Sequence, residues 1–163
     1  MFSFFKRAEP TSSDCGLIQS SLFDEKSFYH TFLKDVEKCA EEVIIESPFI
    51  TSKRAAQFIP VFKKLLERGV RIFIVTRNPK EHEQGLEEQS EQIISEFERI
   101  GVQVFLCVGN HHRKLAILDR KVLWEGSLNI LSQTQSREIM RRIDSQVLSI
   151  QMFKFLRFEQ VII

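Results

Sequence analysis

The segment from Val70 to Val75 limits the possible folds more than any other part of the chain. Five of its six residues are apolar, so a strand formed here would be buried on both faces. Such strands are typical of parallel sheets that carry helices on both sides. Val43-Ile44-Ile45 and the run from Val102 to Cys107 predict two further strands. The pattern therefore predicts an α/β protein with a central sheet.

Amphipathic segments alternate with these strands. Residues 22–41 and 52–68 each carry an apolar stripe at helical spacing, and the second stripe ends before Gly69. Apolar positions up to Ile100 predict a third helix, and a fourth is predicted after a cap at Asp144 or Ser145. Strands and helices that alternate with short breaks indicate one layered α/β domain.

The domain boundary is predicted near the N-terminus. Residues 1–20 are expected to form a flexible tail, and residues 21–163 the folded domain. The segment from Met1 to Arg7 is apolar and then basic, which is the reverse of a secretory signal, and its apolar part is too short to span a bilayer. Stable membrane insertion is therefore not expected.

The cysteines indicate a reducing compartment. Cys15, Cys39 and Cys107 are widely separated, with no CxxC pair and no Cys/His spacing typical of zinc ligands. Neither a disulfide framework nor a metal site is indicated. Cys39 and Cys107 are expected to be small buried apolar residues. A cytoplasmic protein is the resulting prediction.

One motif stands out in the C-terminal half. Its frame is H-x-K-x4-D-x6-G-S-x-N, and it occurs once. Residues 112–118 are predicted to form a strand, 119–121 the turn of a hairpin, and 122–124 the start of the returning strand. The fixed positions of the frame are His112, Lys114, Asp119, Gly126, Ser127 and Asn129.

The chemistry of these residues suits a phosphate diester. His112 and Lys114 are two residues apart and share a strand face, as do Ser127 and Asn129. An imidazole can act as a nucleophile or proton carrier near neutral pH. The ammonium group, the hydroxyl and the amide can stabilise negative charge on phosphoryl oxygens. No metal or other cofactor is required for this set to act.

Three neighbouring positions are weaker candidates. Gly126 removes a side chain where a ligand or another backbone could approach closely. Arg77 follows the strand 70–75, and ligands gather at the carboxyl ends of such strands, so it is a candidate phosphate contact. His111 is out of frame and is expected to be an exposed loop residue or a minor phosphate contact.

Positive charge gathers around the motif. The chain has a net charge of +1, yet residues 111–142 contain seven Lys or Arg and three acids, a local charge of +4 by 7 − 3. The rest of the chain is then about −3. This distribution favours a polyanionic or phosphate substrate near the motif. The alternative is that Arg141 and Arg142 merely form a solvated edge.

The motif resembles the signature of the phospholipase D superfamily, and the resemblance covers nearly all of residues 24–160. Ser47-Pro48-Phe49 and Ser136-Arg137-Glu138 also look like features of that family. The resemblance implies a mixed, largely parallel β-sheet flanked by helices. A short chain with one motif is similar to the small bacterial nucleases of the superfamily, which complete the site by forming a homodimer.

The resemblance also implies a mechanism and roles for individual residues. His112 would attack phosphorus through Nε2 to form a phosphohistidine, and His112 of a second copy would protonate the leaving oxygen. Lys114, Ser127 and Asn129 would hold the phosphoryl oxygens. Glu138 would orient His112 by accepting a hydrogen bond from the other ring nitrogen. Asp119 would support the site without carrying a proton.

Three functions remain open at this point. The first is a metal-independent nuclease acting on DNA or RNA, which could accompany a helicase or restriction-system partner. The second is a lipid-directed phosphodiesterase of the phospholipase D or cardiolipin type, supported by the apolar segment Met1–Phe5. The third is a non-catalytic nucleic-acid-binding module that grips phosphate without turnover.

Overall fold

The chain folds around a single mixed sheet. The computed structural model describes residues 18–81, 86–133 and 135–162. Within these residues, seven strands form one sheet in the order β1-β7-β6-β5-β2-β3-β4. The strands are β1 (Gln19–Asp24), β2 (Glu42–Glu46), β3 (Arg71–Arg77), β4 (Gln103–Cys107), β5 (Leu115–Leu118), β6 (Val122–Gly126) and β7 (Ile139–Asp144). The helices are α1 (Phe28–Glu37), α2 (Ser52–Glu67), α3 (Leu86–Ile100) and α4 (Gln146–Phe155).

The α/β class and the mixed sheet agree with the sequence prediction, but the sheet is not largely parallel. Only β2–β3 and β3–β4 are parallel, and the other four pairs of the described sheet are antiparallel. For one of these pairs, β5 and β6, the reason is their short connection. Asp119 and Arg120 have φ values of 49° and 51°, and Lys121 N donates to Leu118 O. This is the two-residue turn that joins antiparallel strands.

Three helices cover one face of the sheet. Side chains of α1, α2 and α3 pack there on alternate strand positions such as Val43, Ile45 and Ala116. Trp124 lies at the centre of this core and is fully buried. The rings of three phenylalanines surround it, with centroid distances of 4.9, 5.3 and 5.6 Å for Phe23, Phe28 and Phe32.

The opposite face is covered less completely. Here α4 and the short 3₁₀ turn Phe158–Gln160 pack over the middle of the sheet, with Phe153 among the buried contacts. The remaining part of this face is open at the β1–β7 edge. Leu22 of β1 and Ile139 of β7 are both 61% exposed there. The uncovered area leaves room for a cleft.

The predicted starts of the first helix and of the motif strand are wrong. Residues 19–24 form β1, whereas the prediction placed a tail up to residue 20 and a helix from residue 22. The first helix begins at Phe28. The strand predicted over 112–118 begins only at Leu115. The predicted tail otherwise falls on residues 1–17, outside the described part of the chain.

Ser145 caps α4, as one of the two predicted alternatives, because its hydroxyl accepts a hydrogen bond from Leu148 N at 3.3 Å. Among the described helices, none has the length and apolar character needed to cross a bilayer.

Candidate active site at one end of the sheet

The sequence motif lies where several strands end or begin together. Glu46 at the end of β2 pairs with Leu115 at the start of β5, and Leu115 pairs with Glu125 of β6. Gly126 then pairs with Met140 of β7. This end of the sheet holds an open cleft of about 900 Å³. Its lining includes Leu22, His112, Arg113, Lys114, Leu115, Glu125, Gly126, Ser127, Asn129, Glu138, Ile139 and Arg141.

His112 and Lys114 are in direct contact. Lys114 Nζ lies 2.8 Å from His112 Nδ1 and donates to the backbone oxygen of His112 at 2.5 Å. The nearby ammonium charge is the main reason that the pKa of His112 lies below its ordinary value, followed by partial burial and the charges of Arg77 and His111. The imidazole is therefore neutral over a wider pH range than an ordinary histidine.

Lys114 is partly buried, and its own pKa is lowered by this burial. The negative charge of Glu138 opposes that shift. The two side chains therefore interact electrostatically across the cleft. The site combines a neutral imidazole with a cation whose charge depends partly on a neighbouring carboxylate.

Gly126 and Ser127 are fixed against β7. The hydroxyl of Ser127 accepts a hydrogen bond from Ile139 N at 3.1 Å, and Ser127 N donates to Ile139 O at 2.9 Å. A Cβ atom on Gly126 would lie 2.1 Å from Ile139 O. Of the two roles considered for Gly126, the structure shows the close approach of another backbone. The proton of the Ser127 hydroxyl remains able to donate into the cleft.

Asn129 lies in the wall of the cleft. Its backbone oxygen accepts hydrogen bonds from Gln133 N at 2.8 Å and Ser132 N at 3.1 Å. Its side-chain Oδ1 is buried and has no hydrogen-bond partner among the described residues. A buried polar group without a partner is costly in a folded protein. Oδ1 can only accept a hydrogen bond and therefore suits a donor group, whereas the amide N–H groups are the atoms that can donate to a phosphoryl oxygen.

Glu138 reaches the cleft but does not contact His112 as predicted. Its Oε1 accepts a hydrogen bond from the Ser136 hydroxyl at 2.7 Å, and its backbone N–H donates to Glu25 at 3.1 Å. Within the described residues, His112 Nδ1 faces Lys114 instead. The predicted hydrogen bond between Glu138 and His112 is thus absent from the single chain.

Asp119 does not belong to the cleft. It follows β5, at the opposite end of that strand from His112. Its carboxylate accepts three backbone hydrogen bonds of 2.9 Å, from the N–H groups of Ala40, Glu41 and Glu42. The prediction that Asp119 supports the catalytic site is corrected: it connects the β5–β6 turn to the start of β2.

Arg77 is close to the site but outside the cleft lining. Its guanidinium donates to Glu81 Oε2 at 3.0 Å and to Asn110 Oδ1 at 2.9 Å. These contacts hold the loop that precedes the motif. The charge of Arg77 still contributes to the lowered pKa of His112. Its influence on the site is therefore electrostatic.

The sequence reasoning missed Glu46. This carboxylate is fully buried, and its Oε1 lies 2.8 Å from Arg113 Nη2 and 3.0 Å from His111 Nε2. The His111 side chain is only 7% exposed, so the prediction of an exposed loop residue is wrong. A lone acid directly after Val43-Ile44-Ile45 was the signal in the sequence. Buried charges require partners, and the cationic partner of Glu46 is Arg113, directly next to His112.

A metal-binding cluster was not predicted, and no group of three or more His, Cys, Asp or Glu residues in the described part of the chain is placed to hold a metal ion. Cys39 is buried as predicted, whereas Cys107 is only partly buried. Neither lines the cleft.

The overall fold is similar to the folds of several known proteins. NucT from Helicobacter pylori has 18% sequence identity and a TM-score of 0.66, over 85% of this chain and 92% of that one. The phospholipase D family member Nuc from Salmonella typhimurium has 16% identity and a TM-score of 0.67, over 84% and 91%. Polyphosphate kinase from Porphyromonas gingivalis has 10% identity and a TM-score of 0.67, over 86% of this chain and 26% of that one. At these identities the likeness shows a shared fold.

A comparison at the level of sequence families is more specific. No curated protein sequence matches the chain significantly. The family model described as cardiolipin synthase, PLD-like domain, matches residues 32–157, which include every cleft residue except Leu22. The chain therefore belongs to the PLD-like domain family and, with it, to the phospholipase D superfamily.

Proposed function

We propose that the protein is a metal-independent nuclease that cleaves phosphodiester bonds in DNA or RNA. The observation that carries this proposal is the meeting of His112, Lys114, Ser127, Asn129 and Glu138 in one open cleft. An open cleft can admit a polymer along its length, whereas an enclosed pocket admits small molecules. The fold shared with NucT and with the phospholipase D family member Nuc gives further support.

In the proposed reaction, His112 attacks phosphorus and forms an N–P bond while the bond to the leaving oxygen breaks. The leaving oxygen takes a proton from a second histidine. That histidine then removes a proton from water, which attacks phosphorus and breaks the N–P bond. The lowered pKa of His112 supports the nucleophilic role, because the attacking nitrogen must be unprotonated.

The contact between Lys114 and His112 determines which ring nitrogen of His112 carries the proton before substrate binds. An ammonium group can only donate, so Nδ1 of a neutral His112 is the acceptor and the proton is on Nε2. We include in the proposal that a bound phosphate draws Lys114 away from Nδ1. The proton then moves to Nδ1, and the lone pair at Nε2 is free to attack. The cation thus changes partner when substrate binds.

The second histidine is proposed to come from another copy of the chain. The motif occurs once, so one chain supplies one His112. The cleft opens at an edge of the sheet with Leu22 and Ile139 exposed, which gives a second copy an apolar surface to cover. A twofold axis beside the cleft would place the two histidines on opposite sides of one phosphorus. The proposal therefore includes a homodimer. It also keeps the cytoplasmic location and the helicase or restriction-system partner expected from the sequence.

A lipid-directed phosphodiesterase is the second candidate. The matching family model is described by the name of cardiolipin synthase. The exposed side chains of Leu22 and Ile139 in the cleft wall could also contact an acyl chain. The local positive charge fits either a polynucleotide or an anionic head group. The polymer is favoured because the cleft is open rather than enclosed.

One experiment separates these functions. Purified protein is incubated with labelled single-stranded DNA, duplex DNA, RNA and cardiolipin-containing liposomes, in the presence of excess chelator. We expect cleavage of nucleic acid and none of lipid, with activity unchanged by the chelator. Release of lipid head groups alone would replace the proposal by the second candidate, and loss of all activity with chelator would exclude the metal-independent mechanism.

Matched histidine variants identify the nucleophile. His112→Ala should lower turnover by about a thousandfold or more, and should remove an acid-labile phosphorylated intermediate trapped from wild type. His30→Ala is the control, because His30 is exposed on α1 and lies outside the cleft. Binding without turnover in the wild type would instead support the non-catalytic module.

A further inference from the structure

A buried glutamine organises the loop between Asn129 and Glu138. Gln133 is a polar residue with only 3% exposure. Its backbone N–H donates to Asn129 O at 2.8 Å. Its side-chain Nε2 donates to the backbone oxygen of Ser136 at 2.8 Å and to the Ser136 hydroxyl at 2.9 Å. One residue therefore connects the part of the loop that bears Asn129 to the part that precedes Glu138.

The Ser136 hydroxyl extends this connection to the cleft. Its oxygen lies 2.7 Å from Glu138 Oε1 and 3.3 Å from Gln133 Oε1. A hydroxyl has one proton, and the shorter, charge-assisted contact takes it. The direction of donation is therefore from Gln133 Nε2 to Ser136 Oγ, and from Ser136 to the Glu138 carboxylate. Gln133 Nε2, the Ser136 hydroxyl and Glu138 Oε1 are therefore each paired in this series.

Two helices hold the glutamine in place. Arg54 Nε on α2 donates to the backbone oxygen of Gln133 at 2.8 Å. The guanidinium of Arg54 also lies 3.6 Å above the centre of the Tyr29 ring on α1. The Tyr29 hydroxyl donates to Ile130 O at 2.9 Å. The loop is thus attached to the helical layer on the side away from the cleft.

The negative charge of Glu138, at the end of this series of hydrogen bonds, acts on Lys114. Glu138 is the group whose negative charge supports protonation of Lys114, against the effect of burial. The other titratable groups lining the cleft around Lys114 are His112, Arg113, Glu125 and Arg141. Arg113 is paired with the buried Glu46. Displacement of Glu138 would therefore shift the protonation equilibrium of Lys114 directly.

We propose that Gln133 and Ser136 are positioning residues, which hold the Glu138 carboxylate toward Lys114 and fix it relative to Asn129. Neither touches the reacting atoms in this role. Both act through Glu138 and Asn129. The role rests on the proposed phosphodiesterase function for its catalytic consequence, but its structural part can be measured without any substrate.

The first measurement is the titration of Lys114 by NMR, using lysine labelled with ¹³C at the ε position. Ser136→Ala removes the hydroxyl that bridges Gln133 and Glu138, and we expect the Lys114 pKa to move to a lower pH. Ser136→Thr keeps a hydroxyl and should restore the wild-type titration. Ser132→Ala is the matched control in the same loop. If Ser136→Ala leaves the Lys114 titration unchanged, the proposal is overturned.

The second measurement uses turnover of the substrate found for the wild type. Ser136→Ala should lower kcat/KM by roughly tenfold, the effect of losing one hydrogen bond to a charged group. Equal loss in Ser136→Thr would show that the hydroxyl is not responsible and would overturn the proposal.

The two measurements keep the proposals distinguishable. If the wild type cleaves no nucleic acid or lipid, the proposed function fails, while the NMR comparison still tests the positioning role. Gln133→Leu tests the positioning role at the buried residue by the same titration of Lys114. If Gln133→Leu does not fold, Ser136→Ala alone decides whether the proposal holds, because Ser136 is exposed.

Discussion

The ammonium nitrogen of Lys114 lies 2.8 Å from Nδ1 of His112, so the cation of the motif binds the imidazole of the same motif. This contact lowers the pKa of the histidine and occupies the nitrogen that a carboxylate was expected to bind. The free site is therefore arranged around a cation–imidazole pair. Substrate phosphate competes with the imidazole for that cation.

Removal of the cation should raise the pKa of His112. In Lys114→Met the positive charge that disfavours imidazolium is gone, so the pKa should move up toward the ordinary value of about 6.5. The measurement is a ¹H–¹⁵N NMR titration of the imidazole. Lys121→Met is the matched control, since Lys121 lies at the far end of the hairpin and pairs with Glu41. An unchanged His112 pKa in Lys114→Met would contradict this account of the site.

The wild-type activity should reflect the same shift. A histidine that acts as a nucleophile is active when deprotonated, so the acidic limb of kcat/KM should lie below the ordinary histidine pKa. Activity should be retained as pH falls through the ordinary histidine range and be lost only at a lower pH. A limb at or above the ordinary value would argue against His112 as the attacking group.

The shared site predicts a dominant effect of an inactive partner. When copies exchange freely and His112→Ala is in tenfold excess, activity per intact copy should fall to about one tenth, because few intact copies find an intact partner. Mixing with the same excess of His30→Ala should leave activity per intact copy undiminished. Activity in a monomer that is stable in solution would refute the shared site.

Asp119 should affect folding rather than catalysis. Its carboxylate accepts three backbone hydrogen bonds, and Asp119→Ala leaves these N–H groups without that acceptor. We expect the free energy of unfolding in urea to fall by about 2–4 kcal/mol. Asp119→Asn should lose less, because it keeps one acceptor oxygen and tolerates the positive φ at this turn. A loss of kcat without a loss of stability would restore Asp119 to the site.

Gly126 should not tolerate even the smallest side chain. The methyl group of Gly126→Ala would meet Ile139 O, a backbone atom that cannot move without displacing β7. A destabilisation of about 3 kcal/mol is expected from overpacking. Gly69→Ala is a useful comparison: its φ is +82° but the space is open, so backbone strain alone should cost about 1 kcal/mol. Equal losses would show that β7 can move freely.

The buried strands and helices were predictable because their information is local. The run Val70 to Val75 carries its own burial pattern, and Phe28, Phe32 and Val36 repeat at helical spacing. In contrast, β1 has polar residues where a half-buried strand would alternate, and only Phe23 packs inward. Its structure depends on pairing with β7, more than one hundred residues later in the chain. Such pairing leaves little trace in a local pattern.

The site was predictable only in part, for a related reason. The spacing of His112, Lys114, Ser127 and Asn129 specified which residues meet. It could not show that Asp119 lies at the other end of β5, because a motif gives order along the chain and not distance in space. Glu46 was missed since an isolated acid after a strand has many possible partners. Its importance follows from Arg113 and His111 lying beside it.

The strands around the cleft differ in burial, and this difference affects the dynamics of the cleft. Every residue of β2 is buried, and β2 pairs with β5, whose Leu115 lines the cleft, so we expect the floor of the cleft at Leu115 to exchange its amide hydrogens only on global unfolding. Five of the six residues of β1 are exposed, and this strand pairs along one edge with β7 alone. Local detachment of β1 therefore requires less free energy than separation of the central strands. The cleft has a rigid floor and one wall that can open while the rest of the molecule stays folded.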